Sequence, residues 1–518
     1  MIDATGAAPQ PDVTVVITGD RITAMGRSVD VRSPENAQIV DATGKFLIPG
    51  LWDMHVHWED KDYLPLFIAN GVTGIRIIWG MPVHHEWRKE IEQGSLVGPR
   101  MLIASAIVDG PNPVWPDSDK AANAAEGRQA VTNARQDGAD FVKVYSRLPR
   151  EAYFAIADEA KKQGIPFEGH VPDSISVEEA SKAGQKSIEH LTGVLAACST
   201  PAKTEAMLAE FKKNHTWQCP TFTVLRSMMT SDPAQTNPRL LKYISPALVG
   251  YWAAQDKLGT VATITRSLIG EGYFQKHLDM VGAMQRAGVP ILAGTDTENP
   301  YCFPGFSLHD ELGLLVRAGL TPMEALQSAT INPARFMGRE NELGTIEKGK
   351  LADLVLLDAN PLDNIANTRK IAAVVARGRL FPRSSLEAML AQVEAHARKT
   401  GILEDTLLKT INEKGADAAV QQYRELRSTQ PDAYSFSEDQ LDDLGDELLY
   451  AKKTKDAITI LKLDAELYPQ SFLAYDNLGN AYMKDGDKTP AIEIFEKSLK
   501  LNPQNRKVVE KLKQLKSQ

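Results

Sequence analysis

Cysteine is scarce: Cys198, Cys219 and Cys302 are the whole complement of 518 residues. They are too few and too scattered for a disulfide framework and form no Cys-x-x-Cys zinc motif, so free thiols are expected. Long hydrophobic runs are missing too. No stretch approaches the roughly 18 apolar residues of a spanning helix, and the opening MIDATGAAPQPDVTVV has no basic start followed by an apolar core. The expectations are no membrane association and, by default, a cytoplasmic location. Blocks of like charge are also lacking: 58 Lys and Arg stand against 67 Asp and Glu, and the formal charge of −9 is spread along the chain. That argues against nucleic acid as a partner and leaves a small molecule or peptide as the expected substrate.

What is present exceeds one hydrophobic core, so two or three domains are expected. β-rich runs DVTVVI and RITAMG, joined by Gly19-Asp20, suit a hairpin. Similar strands return as LADLVLLD (351–358) and IAAVVARGRL (371–380), beside turn signals EKGK and ANPLD. Residues 1–50 and 341–385 are therefore expected to form one small β-sandwich domain from both flanks, with residues 51–340 inserted between them. That insert alternates short apolar strands with helical stretches such as 150–164 and 176–184. Eight strands can be counted: LWDMHVH, VTGIRII, RMLIAS, DFVKVY, PFEGH, KSIEH, TWQCPTF and PILAGT. The expected fold is α/β, a (β/α)8 TIM barrel. The long gap from about 225 to 289 is expected to hold an insertion near the eighth strand.

Residues 386–518 read as an all-α tetratricopeptide-like repeat domain. Leu444-Gly445 recurs as Leu478-Gly479, Ala457 as Ala491 and Pro469 as Pro503, each 34 residues apart. AAVQQYRELR (418–427) fits the second helix of an earlier, irregular unit, and the last fourteen residues fit a capping helix. Stacked helix pairs leave a concave groove, so a protein or peptide partner, or self-association, is expected there.

On a strand the side-chain period is two, so Asp53, His55 and His57 share a face and the two imidazoles aim at one point. At the C-terminal end of a barrel strand that point lies in the mouth where such barrels keep their active sites. Lys143 in DFVKVY points where a barrel interior should be packed, and a buried unpaired ammonium is costly. It either reaches out at the strand end or has reacted with CO2 to give a carbamate able to bridge two divalent cations. His170 ends PFEGH, His190 ends KSIEH and Asp296 ends ILAGTD. A carboxylate at that rim can bind metal and also take a proton. Tyr145, on the face of Lys143, is a candidate to hydrogen-bond substrate, and Arg76 and His309 are candidates to bind a substrate carboxylate.

In order, PGLWDMHVH, GADFVKVY, EGH, SIEH, GTDT and LGTIEKGKLADLVLLDANPL resemble the metal-dependent amidohydrolase superfamily, in the branch of imidazolonepropionase-like and prolidase-like enzymes. The resemblance covers about residues 1–385 and implies that His55, His57, N6-carboxylated Lys143, His170, His190 and Asp296 hold two divalent ions, with zinc the first expectation. It further implies cleavage of a C–N bond by a metal-bridging hydroxide, with Asp296 moving the proton and a dipeptide or N-acyl amino acid as substrate. His55 and His57 would share one ion with Asp296 and the carbamate, His170 and His190 the other. Relatives often carry a second histidine where Pro172 stands, and RDMGG where this chain has RIIWG (76–80), which bears on substrate contacts. They also open with a strand that MIDATG enters midway, which leaves room for a longer precursor with an export signal. The alternatives are a cyclic-amide or deaminating hydrolase of the same superfamily, and a repeat-based binding protein with an inert barrel.

Overall fold

A computed structural model describes residues 1–57, 60–115, 117–229, 237–257, 271–503 and 505–517. The chain divides into two compact units, one of Met1–Pro238 with Gln255–Ala391, the other of Arg239–Ala254 with Gln392–Gln518.

In the first unit, strands β1 (Val13–Thr18) and β2 (Arg21–Arg27) form the hairpin that Gly19-Asp20 encodes. Strand β3 (Phe46–Pro49) pairs antiparallel with β12 (Leu354–Leu357), which continues through β13 (Ile371–Ala376) to β14 (Arg379–Pro382). Ile22, Ile346, Ala352 and Leu354 are buried between hairpin and sheet, with Val15, Met25 and Leu47 packed against them. Both flanks thus build one small two-layer β-body, as their apolar alternation requires.

The inserted segment supplies a parallel sheet. Its order is β4 (Leu51–Val56), β5 (Val72–Ile77), β6 (Arg100–Asp109), β8 (Phe141–Val144), β9 (Phe167–Gly169), β10 (Ser187–Glu189) and β11 (Trp217–Cys219). A two-residue strand, β7 (Asp119–Lys120), pairs with the far end of β6. Every residue of β4 and β5 is buried, because helices cover the outside of a wall whose inside is also filled. Helix Arg150–Gln163 is typical of that cover, with Ala152, Tyr153, Ile156 and Ala160 buried and Gly164 ending it at φ 65°.

Eight strands are expected from the sequence; seven regular ones are described, and the eighth differs. Residues 290–297 join the wall through bridges Gln218↔Ile291 and Val56↔Thr297, with Leu292 N donating to the Gln218 carbonyl at 2.9 Å and Met54 N to that of Ala293 at 2.9 Å. The barrel closes, but Asp296 has φ 60°, a left-handed conformation that no regular strand contains. The expected insertion contains helices Phe222–Met229, Pro246–Lys257 and Glu271–Ala287, while its residues 230–236 and 258–270 lie outside the described part.

In the second unit, antiparallel helix pairs follow the 34-residue period: Ile402–Lys414 with Ala416–Thr429, Glu438–Tyr450 with Thr454–Leu467, and Phe472–Asp485 with Lys488–Leu501. A Cβ at Gly445 would lie 2.5 Å from Leu461, and one at Gly479 2.5 Å from Phe495, so the recurrent glycine lets each pair close. The second helices stop just before Pro469 and Pro503, which disfavour helix in the preceding residue. Helix Arg506–Ser517 covers Phe495 with Val508, Leu512 and Leu515. Among the described residues, no helix is long and apolar enough to cross a membrane.

Candidate metal centre

His55 lies on β4 with no exposed surface, and its two nitrogens face different surroundings. Nδ1 is 2.7 Å from Glu189 Oε2. Burial pushes Glu189 up, but Arg76 and the bond to His55 outweigh it and hold the carboxyl well below its ordinary value. An ionised carboxylate accepts a hydrogen bond from Nδ1–H, the tautomer in which Nε2 carries the lone pair. That Nε2 is 3.2 Å from His57 Nε2 and 3.2 Å from Asp296 Oδ1, and His57 Nε2 is also 3.2 Å from Asp296 Oδ1. Two donors that share one tetrahedral zinc at about 2.0 Å stand about 3.3 Å apart. The triangle therefore has the size that a single ion needs.

Asp296 Oδ1 is buried and has no hydrogen-bond donor among the described residues. Burial pushes this carboxyl up, yet His190 and His55 together hold it well below its ordinary value, so it is anionic. His190 adds a third imidazole: a nitrogen of His55, one of His190 and an oxygen of Asp296 lie within 4.8 Å of one another. Its Nδ1 is 2.6 Å from Thr221 Oγ1. His170 stands edge-on to His190, with ring centres 4.9 Å apart, and its Nδ1 is 2.9 Å from Ser146 Oγ. Burial is the main reason that His190 is pushed down to about 3 and His170 well below its ordinary value. Both are neutral imidazoles, the form that ligates.

Lys143 completes the group. Its side chain is fully buried and Nζ has no hydrogen-bond partner among the described residues. Burial pushes the amine down to about 8, against the attraction of Glu189 and Asp296. Its Nζ lies 5.7 Å from the centre of the Tyr145 ring, which stacks on His170. An unpartnered carboxylate oxygen, neutral imidazoles and an unpartnered lysine are costly as they stand. Divalent cations fit this donor set. A further group, His55 with Glu189 and Cys219, fits less well, because burial pushes the Cys219 thiol well above its ordinary value.

Left-handed backbone aims several of these side chains: φ is 58° at His190, 60° at Asp296 and 50° at Thr221. Such conformations are rare outside glycine and concentrate where a site constrains the chain.

Two sequence candidates are corrected. Arg76 does not face a substrate: it is fully buried and fork-bonded to Glu189 at 2.9 Å, with Glu168 at 2.8 Å on its other arm. An inward position in the middle of a barrel requires a charge to be paired inside. His309 lies in helix Phe306–Arg317, with Nδ1 2.9 Å from Thr368 Oγ1 and Nε2 3.1 Å from the Asn70 carbonyl, so neither nitrogen is left for a ligand. Tyr145, by contrast, stacks on His170 at 4.0 Å, and its hydroxyl accepts from Trp115 Nε1 at 3.1 Å. Burial pushes its phenol up to about 12, so it remains a neutral hydrogen-bonding group.

Sequence reading missed Glu189, Glu168, Ser146 and Thr221. Glu168 and Glu189 did leave a signal, as carboxylates at inward positions of the short strands PFEGH and KSIEH. Asp53, on the same face of β4, accepts from Thr295 at both oxygens, at 3.0 and 2.7 Å, and so holds the eighth segment against β4.

Residues 46–381 match the amidohydrolase family, and residues 472–505 match the tetratricopeptide repeat. An ochratoxinase of Aspergillus niger is 25% identical over 446 residues, covering 72% of this chain and 83% of that protein. Among solved structures, a bottromycin amidohydrolase superposes with a TM-score of 0.63 at 24% identity, covering 76% of this chain and 88% of that one. A Xaa-Pro dipeptidase with bound methionine in its active site superposes with a TM-score of 0.58 at 22% identity, covering 74% and 97%.

Proposed function

The chain belongs to the amidohydrolase family as a metal-dependent hydrolase of carbon–nitrogen bonds, and from that premise we propose that it cleaves the amide bond of dipeptides or N-acyl amino acids. His55, His57 and Asp296 would hold one ion and His170 and His190 a second, with N6-carboxylated Lys143 as a further oxygen donor; zinc would suit these nitrogen and oxygen donors. The carbamate forms when Lys143 Nζ bonds the carbon of CO2 and releases a proton to solvent. The observation that carries this reading is the 3.2 Å triangle of His55, His57 and Asp296 beside a buried Lys143 without a partner. The dipeptide reading is supported by the likeness in fold to a Xaa-Pro dipeptidase and a bottromycin amidohydrolase.

When bound, the ions supply an activated water at neutral pH and polarise the scissile carbonyl. Asp296 is ionised and takes the proton of the attacking water at its carboxylate. It then delivers that proton to the amide nitrogen, which leaves poorly without it. The neutral His170 and His190 keep their lone pairs for ligation, oriented through Ser146 and Thr221. The Tyr145 hydroxyl donates a hydrogen bond to the carbonyl oxygen as negative charge builds there.

Metal analysis with and without bicarbonate, on the wild type and Lys143→Ala, tests the centre. Two ions per chain falling to one or none in the variant is the expected result; unchanged loading overturns the carbamate. Product analysis on dipeptides and N-acyl amino acids, against cyclic ureides and amidines, tests the substrate. Turnover of only the cyclic compounds would replace this reading with the cyclic-amide alternative.

A further inference from the structure

The barrel has a second opening, at the N-terminal ends of its strands and so at the opposite end from the metal centre. There, a cavity of about 670 Å³ is lined by the first residues of β6 and β8 and by Glu168 of β9, together with Trp52, Lys186, Met337 and Arg377. Its charge is unbalanced. Five cations face it, Arg88, Arg100, Lys186, Arg339 and Arg377, against the carboxylates Glu92, Asp140 and Glu168.

Pairing does not remove the excess. Arg88 is neutralised by Asp140 at 2.7 Å and Arg339 by Glu342 at 2.7 Å, but Glu168 is already taken by Arg76 at 2.8 Å. Arg100, Arg377 and Lys186 remain. Asp353 binds Arg100 Nε at 2.6 Å and the backbone N–H of Arg377 at 2.7 Å, which ties the Arg100 side chain and the Arg377 main chain to one carboxylate. Arg100 Nη2 is then buried with no acceptor among the described residues. The Arg377 guanidinium reaches the Glu92 carbonyl at 3.4 Å, and the Lys186 ammonium lies over the Phe336 ring at 4.3 Å. Burial pushes both cations down, and Arg100 adds to the effect on Arg377. Arg100, Arg377 and Lys186 thus outnumber Asp353 and Glu92, the carboxylates left to them, around a cavity too large for a simple inorganic ion. Guanidinium forks match the oxygens of a phosphate, and Trp52, Met101 and Met337 offer apolar wall to an organic body.

We propose that this basal cavity is a binding site for a small phosphorylated metabolite, with the phosphate held between Arg100 and Arg377 and a third positive charge from Lys186. The site is separate from the metal centre and independent of the substrate assigned there.

Calorimetry on the full metal-loaded chain tests it, with inorganic phosphate, glucose 6-phosphate and adenosine 5′-monophosphate as probes and adenosine and citrate as comparators. At least one phosphorylated probe is expected to bind with one-to-one stoichiometry. Arg377→Gln and Lys186→Gln are each expected to weaken that binding about tenfold or more, with metal content unchanged. Arg377→Gln leaves the Asp353 contact in place, because that contact is made by backbone, so the variant retains its fold. Binding by none of the three probes overturns the proposal, as does affinity equal in wild type and both variants, which would mark binding at the metal centre or an adventitious ion only. Citrate binding more tightly than every phosphorylated probe would make it a carboxylate site instead.

Discussion

Removing Glu189 while leaving every proposed ligand in place isolates what orients His55. With Glu189→Gln the acceptor at His55 Nδ1 is weakened, the ring loses its fixed tautomer, and metal affinity is expected to fall about 10- to 100-fold. Competition against a zinc-chelating dye measures this, and unchanged affinity would show that the 2.7 Å contact does not orient the ligand. Arg76 keeps Glu168 as a partner in that variant, so the core retains one compensated charge. At this scale the proposed ligands were legible, because a period of two on β4 and polar residues at strand ends can be read from the letters alone. Glu189 was not legible as a partner. Nothing in SIEH says that the glutamate one residue before a strand-end histidine meets a histidine on another strand, since that contact exists only once the barrel closes. Arg76 failed for the same reason: the sequence shows its inward direction but not its depth.

Between helices, the repeat unit contains a carboxylate group whose behaviour with pH can be worked out. Glu438 and Asp442 on one helix face Asp464 on the next, and Asp464 has no exposed surface and no partner for either oxygen among the described residues. Burial, then Asp442 and Glu438, push the Asp464 carboxyl well above its ordinary value. A carboxyl raised in the folded state holds a proton that the unfolded chain has already lost. Its contribution to stability is therefore full at low pH and is lost as pH rises from the ordinary carboxylate range through the raised value, by at most about 1.4 kcal/mol per pH unit. Chemical denaturation of the repeat unit across pH 5 to 9 should show this fall, and Asp464→Asn should flatten it; an equal slope in the variant refutes the assignment. Gly479→Val makes a separate prediction at the same scale. Its Cβ meets Phe495 at 2.5 Å, so a loss of roughly 1–3 kcal/mol is expected, read as a lower Tm of the repeat transition. The helix pairs were legible because Gly, Ala and Pro keep one 34-residue register. The eighth barrel strand was only half legible, since PILAGT has the composition of a strand while Asp296 turns out of the regular conformation.

For the whole chain, truncation near residue 390 separates the two kinds of structure. The shortened chain is expected to keep hydrolysis of small amides and to lose self-association or peptide binding, measured by turnover and by sedimentation. Activity and oligomeric state both unchanged would refute a role for the repeats in assembly. The flanking sheet has a further consequence, in time rather than in space. Strand β3 pairs Phe46 with Leu357, so a strand made early in synthesis has no partner until more than 300 further residues have left the ribosome. β4 follows β3 directly and closes only against residues 290–297. Pairings this distant fold slowly and leave apolar edges uncovered meanwhile. The nascent barrel is therefore expected to wait, open at both flanks, for its own late strands, whereas each helical repeat can fold against its neighbour as it emerges.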